Sequence, residues 1–313
     1  MNSAATYGVG LVVLNYNNSK ETIRFLETIR SNRALKAVQV VDNCSTDNSR
    51  DILENYCSNA RDCRLGLTIS PSNIGYGRGN NLGVAQLLSR ASCDYVIISN
   101  PDVIFNENTV HELVYFLDAH PDYAAAAPIM KTPKGATCQS GWRLPTKHLL
   151  IKDAIRYFLP ILPDPYDYGT GINTTSSFSQ VEVLPGSFFL IRVDVFNSVN
   201  GFDEDTFLYG EENLLFAKVR ASGWKCCIVN SLSYIHAHGT SINKEFASVK
   251  KRYWMLRSSN ITYCRKVLHT SKTWVVFYKC LYTASIEVFT IELGIKNIIQ
   301  SKKLQKKTSK KRK

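Results

Sequence analysis

The first hundred residues alternate between short apolar runs and longer amphipathic stretches. Runs rich in β-branched residues predict buried strands at residues 8–14, 38–41, 65–70 and 95–98. The stretches between them carry apolar residues on one face, which predicts helices. Strand–helix alternation at this spacing is typical of βαβ units with right-handed crossovers. The sequence therefore predicts an α/β protein with a mostly parallel central sheet flanked by helices.

Each predicted strand ends in small polar or charged side chains. They are Asn15 and Asn17 after the first strand, Asp42, Asn43 and Asp47 after the second, Asn73 and Arg78 after the third, and Asn100 and Asp102 after the fourth. Open α/β sheets bind ligands beyond the carboxyl ends of their strands, so these clusters are expected to meet at one edge. One cluster is an ordinary turn, whereas four in succession indicate a nucleotide site.

The most specific chemistry follows the fourth strand, in Asn100-Pro101-Asp102. Pro101 fixes its own φ and pushes Asn100 toward extended geometry, which aims Asp102 out of the strand tip. A carboxylate there suits a divalent cation that in turn holds a diphosphate. The alternative is a strand-to-helix turn in which Asp102 or Asn106 caps the next helix.

Three glycines, Gly75, Gly77 and Gly79, follow the third strand. They could let the backbone approach a phosphate. Their spacing and their place after the third strand do not match the dinucleotide-binding fingerprint, so ordinary loop glycines are the alternative.

The second half of the chain is less regular. Residues 131–180 are rich in proline and aromatic residues and are expected to be a loop-rich specificity insertion or lid. Gly186 interrupts the next predicted strand, where glycine often marks a close backbone approach. Glu211 and Glu212 open a helix, which suits the helix dipole, and could also supply a general base. His236 and His238 lie in a Gly/Ser-rich loop and are candidate metal ligands.

Charge and cysteine content narrow the class of protein. The formal net charge is +12, but residues 302–313 supply eight positive charges and no negative ones, so the body is only mildly basic. No nucleic-acid reader module is recognisable, and nucleic-acid binding is not expected. Nine cysteines without a Cys-x-x-Cys pair, and no leader before the first strand, fit free thiols in a cytoplasmic protein.

Residues 244–270 and 273–300 predict two further helices. Lys279, Glu287 and Glu292 interrupt the second one, so it is not expected to span a bilayer. Packing onto the rest of the protein or onto a homodimer partner is one alternative, and lying on a membrane is the other. The lysine-rich end supports the membrane, because anionic lipids attract each nearby basic residue by about 1 kcal/mol.

The order of these motifs resembles the inverting glycosyltransferases of family 2, which have the GT-A nucleotide-sugar fold. It looks closest to their bacterial rhamnosyltransferase-like branch. The matching segments are residues 12–17, 40–47, 73–80, 100–103, 201–204, 207–212 and 236–241. The resemblance implies a GT-A catalytic domain over residues 1–243, with a nucleotide-binding half (1–105) and an acceptor half (106–243). C-terminal helices (244–300) and a disordered polybasic tail (301–313) would follow.

The resemblance also implies residue roles. Asp42 would contact the base or ribose of the donor, and Asp102 would coordinate Mg²⁺ or Mn²⁺ on its diphosphate. His236, or alternatively His238, would complete the metal shell. Glu212, or in its place Glu211, would be the catalytic base. The residues expected around the nucleotide-sugar are Leu14, Asn15, Tyr16, Asn17, Asp42, Asn43, Asn73, Gly75, Arg78, Asn80, Asn100, Pro101 and Gly186.

The chain departs from the family pattern at three positions. Asn100 replaces one carboxylate of the usual Asp-x-Asp, Glu212 replaces the usual catalytic Asp, and Leu214 stands where an acid is common. These departures keep open a catalytically silent glycan-binding or scaffolding relative. A sugar nucleotidyltransferase is a weaker alternative, because it would need a Gly-rich loop directly after the first strand.

The function implied by the resemblance is metal-dependent, inverting sugar transfer by a cytoplasmic enzyme on the inner membrane surface. The expected donor is dTDP-rhamnose, with a UDP-hexose or UDP-galactofuranose as alternatives. The expected acceptor is a cell-surface polysaccharide or a lipid-linked glycan. The C-terminal helix and the basic tail would provide the membrane contact.

Overall fold

The computed structural model describes residues 7–60, 62–159, 161–168, 176–237 and 249–310. The chain divides into two compact units. The sheet unit comprises residues 1–144 and 167–247, and the helical unit comprises residues 145–166 and 248–313. The helical unit thus includes part of the stretch that was expected to be an insertion of the catalytic domain.

The sheet unit contains the strands and most of the helices. Its strands are β1 (Val9–Asn15), β2 (Leu35–Asp42), β3 (Leu65–Ile69), β4 (Tyr95–Ser99), β5 (Val103–Ile104), β6 (Tyr123–Lys131), β7 (Phe178–Val181), β8 (Phe188–Arg192) and β9 (Lys225–His236). Its helices are α1 (Ser19–Ile29), α2 (Ser49–Asn59), α3 (Tyr76–Arg90), α4 (Glu107–Ala119), α6 (Val193–Ser198) and α7 (Glu211–Ala221).

The sheet has the strand order β3-β2-β1-β4-β8-β6-β9-β5, and β7 pairs with β9 beside this path. The first four strands in this order are mutually parallel, which confirms the predicted βαβ half. Strand β8 then runs antiparallel to both β4 and β6. Because β8 is antiparallel, its first residues lie at the same edge as the carboxyl ends of β1, β2 and β4.

Strand β9 is long, and its pairing with β6 is interrupted by a bulge. Val229 pairs with Pro128, and the next pair joins Ile129 to Ser233, so three residues of β9 are unmatched. A bulge of this kind bends a strand and increases its twist. Beyond it, β9 pairs with β5 and brings His236 opposite Val103. The vicinal Cys226 and Cys227 are buried in β9 as free thiols.

The helical unit consists of α5 (Lys147–Arg156), α8 (Val249–Lys266) and α9 (Lys272–Lys310). Its core is unusually rich in tyrosine, with Tyr278 and Tyr282 fully buried and Tyr157 nearly so. Helix α5 lies within residues 131–180, the stretch expected to be loop-rich, and was not predicted. Thr146 caps it by accepting a hydrogen bond from the backbone N–H of Leu149.

Helix α9 differs from its prediction in two ways. It continues to Lys310, into the stretch expected to be a disordered tail. Its segment Lys272–Ile291 is also long and apolar enough to cross a membrane, by length and composition alone. The expectation that its charges exclude a span is therefore too strict by this criterion.

Candidate active site

Asp42 lies at the end of β2, in a closed network of hydrogen bonds. Its Oδ1 accepts from Asn15 Nδ2 at 2.7 Å and from Ser45 Oγ at 2.6 Å, and its Oδ2 accepts from the Ser45 backbone N–H at 3.0 Å. Asp42 and Asn15 are fully buried. The carboxylate therefore fixes the loop after β2 to the end of β1. The groups exposed at this edge belong to the loop and not to the Asp42 carboxylate.

Two further links tie the strand ends together. The Asn17 side chain accepts from the backbone N–H of Thr46 at 2.7 Å, and its φ of 51° is left-handed, a region that asparagine tolerates. Asn43 donates to Asn73 Oδ1 at 3.1 Å and to the Gly75 carbonyl at 3.2 Å. Three of the four polar clusters predicted to meet at one edge, those after β1, β2 and β3, are thus joined directly.

A cavity of about 290 Å³ opens at the ends of β2 and β3. It is lined by Asp42, Cys44, Ser45, Arg50, Ile69, Ser70 and Pro71. Three further predicted nucleotide residues, Leu14, Arg78 and Asn80, do not line this cavity and contact other parts of the protein. Leu14 packs against Gly79, where a Cβ would lie 2.6 Å from Leu14 Cδ1, and the buried Asn80 donates to the Tyr76 carbonyl at 3.0 Å. Arg78 donates to the Glu204 carbonyl at 2.7 Å.

The glycines after β3 have packing roles of their own. Gly75 has a φ of 84°, and a Cβ there would lie 2.5 Å from the Phe207 carbonyl oxygen. A Cβ at Gly77 would meet Phe202 at 3.1 Å. Close packing of α3 and its preceding loop thus accounts for Gly75 and Gly77, and Gly77 and Gly79 lie in helix α3 rather than in a loop.

Asp102 and His236 are neighbours. Asp102 Oδ1 lies 3.1 Å from His236 Nε2, and the Ala237 backbone N–H donates to the Asp102 carbonyl at 3.0 Å. Both side chains are nearly buried, at 9 and 11% exposed. Asn106 caps α4 by accepting from the backbone N–H of Thr109 at 2.9 Å, so the capping role considered for Asp102 belongs to Asn106.

Within the residues that the structure describes, no group of three or more His, Cys, Asp and Glu side chains could hold a metal ion. Asp102 and His236 supply two donors of suitable chemistry, one hard oxygen and one imidazole nitrogen. Such a pair fits a divalent cation that takes its other ligands from a diphosphate and water. His238, the alternative ligand, lies outside the described residues.

Gly186 and Ser187, just before β8, join this region to the start of α7. The Asn100 backbone N–H donates to the Ser187 carbonyl at 2.9 Å, and Tyr76 Oη donates to the Gly186 carbonyl at 2.6 Å. Ser187 Oγ and Tyr234 Oη are 2.8 Å apart. A Cβ added at Gly186 would lie 2.6 Å from Glu212 Oε1. The segment therefore lies between Asn100-Pro101-Asp102 and the Glu212 carboxyl group.

The two glutamates differ in their surroundings. They open α7 after Tyr209 and Gly210, which both have a positive φ. Burial raises the pKa of Glu211 well above its usual value, and Glu212 adds to the increase. Among the described residues, Glu211 Oε2 has no hydrogen-bond partner. Burial also raises the pKa of Glu212, but backbone hydrogen bonds, including those of Gly186 and Gly210, lower it in part. Glu212 is half-buried, whereas Glu211 is 3% exposed.

The structure adds one residue that the sequence analysis did not identify. Trp142 Nε1 donates to Asn213 Oδ1 at 2.8 Å, directly after the two glutamates. Its backbone pairs with Val183 through hydrogen bonds of 3.1 and 2.9 Å. The signal available beforehand was a tryptophan between Gly141 and Arg143 in the aromatic-rich stretch, which does not point to a partner on α7.

The family model of glycosyl transferase family 2 matches residues 11–199, more than half of the chain. The chain belongs to glycosyl transferase family 2. A Mycobacterium tuberculosis protein named N-acetylglucosaminyl-diphospho-decaprenol L-rhamnosyltransferase is 27% identical over 257 residues, which cover 76% of this chain and 78% of the relative. Escherichia coli K12 rhamnosyltransferase WbbL is 25% identical over 264 residues, covering 80% and 90%.

A solved structure supports the fold of this family 2 glycosyltransferase. The mannosyltransferase PcManGT from Pyrobaculum calidifontis, in complex with GDP-Man and Mn²⁺, superposes with a TM-score of 0.58 at 14% identity. The match covers 92% of this chain and 74% of PcManGT. The predicted GT-A fold and family 2 membership are thus confirmed.

Proposed function

We propose that this glycosyltransferase moves a rhamnosyl residue from dTDP-rhamnose to a lipid-linked glycan or a growing cell-surface polysaccharide, with inversion at the anomeric carbon. The donor sugar is supported by two relatives that are named rhamnosyltransferases. The lipid-linked acceptor is supported by the diphospho-decaprenol in the name of the mycobacterial relative.

The observation that carries the proposal is the position of Glu212 across Gly186 from the Asn100-Pro101-Asp102 segment. Glu212 is half-buried, and its carboxyl group abuts a residue without a side chain. It would take the proton from the acceptor hydroxyl as that oxygen attacks the anomeric carbon. Glu211 is more deeply buried, and burial and Glu212 both raise its pKa, which favours the neutral form.

The nucleotide would bind in the cavity at the ends of β2 and β3. Asp42 would act by holding the loop that forms the wall of this cavity, because protein groups already occupy its carboxylate. This refines the predicted direct contact between Asp42 and the base or ribose. Pro71 and Ile69 offer apolar surface to the flat face of a base.

Asp102 and His236 would hold Mg²⁺ or Mn²⁺, as their donor atoms and separation allow. The ion would offset negative charge on the departing nucleoside diphosphate. The Asn100 backbone N–H donates to the Ser187 carbonyl and so holds this segment against the start of β8.

We place the enzyme in the cytoplasm, at the inner face of the membrane, where nucleotide-sugars and lipid-linked acceptors meet. The C-terminal helix and the lysine-rich end would provide the contact. A homodimer through the same helix is the alternative.

The donor is tested by incubating the purified protein with Mn²⁺, a membrane-lipid acceptor extract and one donor at a time. The donors are dTDP-rhamnose, UDP-glucose, UDP-galactofuranose and GDP-mannose. The proposal expects acceptor-dependent release of dTDP, with the other donors slower by at least about tenfold. Faster release of UDP or GDP would contradict rhamnose as the transferred sugar.

A further inference from the structure

The positive charge of the chain is concentrated in the helical unit. This unit holds 20 of the 38 Lys and Arg residues but only 4 of the 26 Asp and Glu residues, a net charge of +16. The sheet unit, by the same count, carries −4. The basic character of the protein therefore belongs to one structural unit, and it is not confined to the last twelve residues.

The exposed apolar side chains are concentrated in the same unit. Ten large apolar side chains are exposed in the part of the chain that the structure describes. Seven of them belong to the helical unit: Leu159, Ile161, Leu162, Val276, Phe277, Val288 and Ile291. A soluble surface normally carries such residues singly, so their grouping beside excess positive charge indicates an interaction surface.

Three of the seven lie in the loop after α5, whose backbone is held by an ion-pair bridge and a turn. Ile161 is 92% exposed and Leu159 is 53% exposed. The base of the loop is clamped because Arg156 bridges Asp153 and Asp164, each at 3.1 Å. The Leu162 backbone N–H donates to the Leu159 carbonyl at 3.0 Å, which folds the tip into a turn.

The other four lie on one face of α9. Val276 and Phe277 are 59 and 52% exposed, and Ile291 is 61% exposed, four helical turns further on. The opposite face of α9 is buried in the tyrosine-rich core. The loop starts beside this buried face, at the level of Val288 and Ile291 along the helix, because the ring of Tyr157 packs against Phe289 with centroids 5.6 Å apart.

We propose that the loop tip (Leu159, Ile161 and Leu162) and the exposed face of α9 (Val276, Phe277, Val288 and Ile291) both contact an anionic lipid bilayer, and we call these two apolar patches together the docking surface. The apolar side chains enter the interfacial region, and Lys and Arg side chains of the helical unit bind acidic headgroups. This deepens the proposed membrane contact, on which it rests, by adding a loop anchor and naming the inserted side chains.

Charge decides between a bilayer and a second copy of this chain as the occupant. Two copies meeting through this surface would bring two units of +16 together, which like-charge repulsion disfavours. An acidic bilayer has the opposite sign and accepts apolar side chains. A bilayer therefore complements both the positive charge and the apolar side chains of the surface, whereas a second copy complements only the apolar side chains.

The test is sedimentation of the full-length protein with phosphatidylglycerol-containing vesicles and, in parallel, with pure phosphatidylcholine vesicles. The double variant Ile161→Glu/Leu162→Glu should bind the acidic vesicles at least about tenfold more weakly, because it loses apolar insertion and adds repulsion. Tyr115→Glu is the matched control, since Tyr115 is 72% exposed on α4 of the sheet unit and lies outside the proposed surface. It should bind like the wild type.

Unchanged binding of the double variant would overturn the loop anchor. Equal binding of the wild type to both kinds of vesicle would contradict the proposed preference for acidic lipid. A dimeric wild type that the double variant converts to a monomer would assign the surface to a second copy. Vesicle binding requires neither donor nor acceptor, so failure of the proposed sugar transfer would show in the transfer assay and leave this result standing.

Discussion

Glu212 and Gly186 are in contact, so that a Cβ added at Gly186 would lie 2.6 Å from Glu212 Oε1. Real Cβ atoms essentially never approach so closely, and the carboxyl group would have to move. The absence of a side chain at position 186 thus leaves room for the proposed base.

Gly186→Ala should therefore lower kcat by about tenfold or more through displacement of Glu212, because small misplacements of a reacting group are costly. The free energy of unfolding should change by only about 1 kcal/mol. Gly135→Ala is the matched control, since Gly135 has open space where the Cβ would lie. Its positive φ predicts a similar loss of stability with unchanged kcat. A fully active Gly186→Ala enzyme would contradict the assignment of Glu212.

The pH profile distinguishes the two glutamates. Glu212 must be ionised to accept a proton, and burial raises its pKa, so the acidic limb of kcat/KM should lie above the usual glutamate pKa of about 4.3. Burial and Glu212 both raise the pKa of Glu211, which favours its neutral form. Glu211→Gln should then keep the limb within about 0.5 pH unit of wild type. A clear shift of the limb to lower pH would show that Glu211 is ionised in the working enzyme.

Trp142 is expected to position the start of α7. Trp142→Phe keeps an aromatic ring but removes the hydrogen bond from Nε1 to Asn213 Oδ1. Loss of this hydrogen bond should raise the activation free energy by about 1 kcal/mol, which corresponds to a roughly fivefold lower kcat. The KM for the nucleotide-sugar should be unchanged, because Trp142 does not line the nucleotide cavity. A change in that KM with unaltered kcat would assign Trp142 to donor binding instead.

Asp102→Asn tests the proposed metal pair. The change preserves the shape of the side chain but removes the charge that a divalent cation needs beside His236. Mn²⁺ binding, followed by titration calorimetry in the presence of dTDP, should weaken by at least about tenfold. His111→Gln is a suitable control, because His111 is an exposed residue on α4. Unaltered Mn²⁺ binding by Asp102→Asn would place the metal elsewhere.

Local pattern was sufficient to predict the first half of the fold. The strands ending at Asn15, Asp42 and Ser99 are short apolar runs that end in polar turns, and parallel pairing follows from the helices between them. That pattern also brought the polar clusters to one edge. The pattern did not show that the Asp42 carboxylate would accept hydrogen bonds from Asn15 and Ser45, because tertiary contacts bring these partners to it.

The second half was harder to predict for physical reasons. Helix α5 lies in a proline-rich stretch, and its stability comes from packing against α9, which local sequence does not reveal. The contact between Asp102 and His236 depends on the bulge in β9, which shifts the register by three residues. The resemblance to family 2 predicted that pair, whereas no local signal predicted the hydrogen bond between Trp142 and Asn213.

Sugar transfer with Glu212 as the base is tested by comparing the rates of three forms of the enzyme. Release of nucleoside diphosphate from dTDP-rhamnose would be measured with Mn²⁺ and a lipid acceptor for wild type, Glu212→Gln and Glu211→Gln. We expect Glu212→Gln to be slower by about 10²–10⁴-fold and Glu211→Gln to stay within a few-fold of wild type. A Glu212→Gln enzyme that retains wild-type turnover would contradict the account, as would a folded wild-type protein that binds dTDP but turns over none of the donors tested.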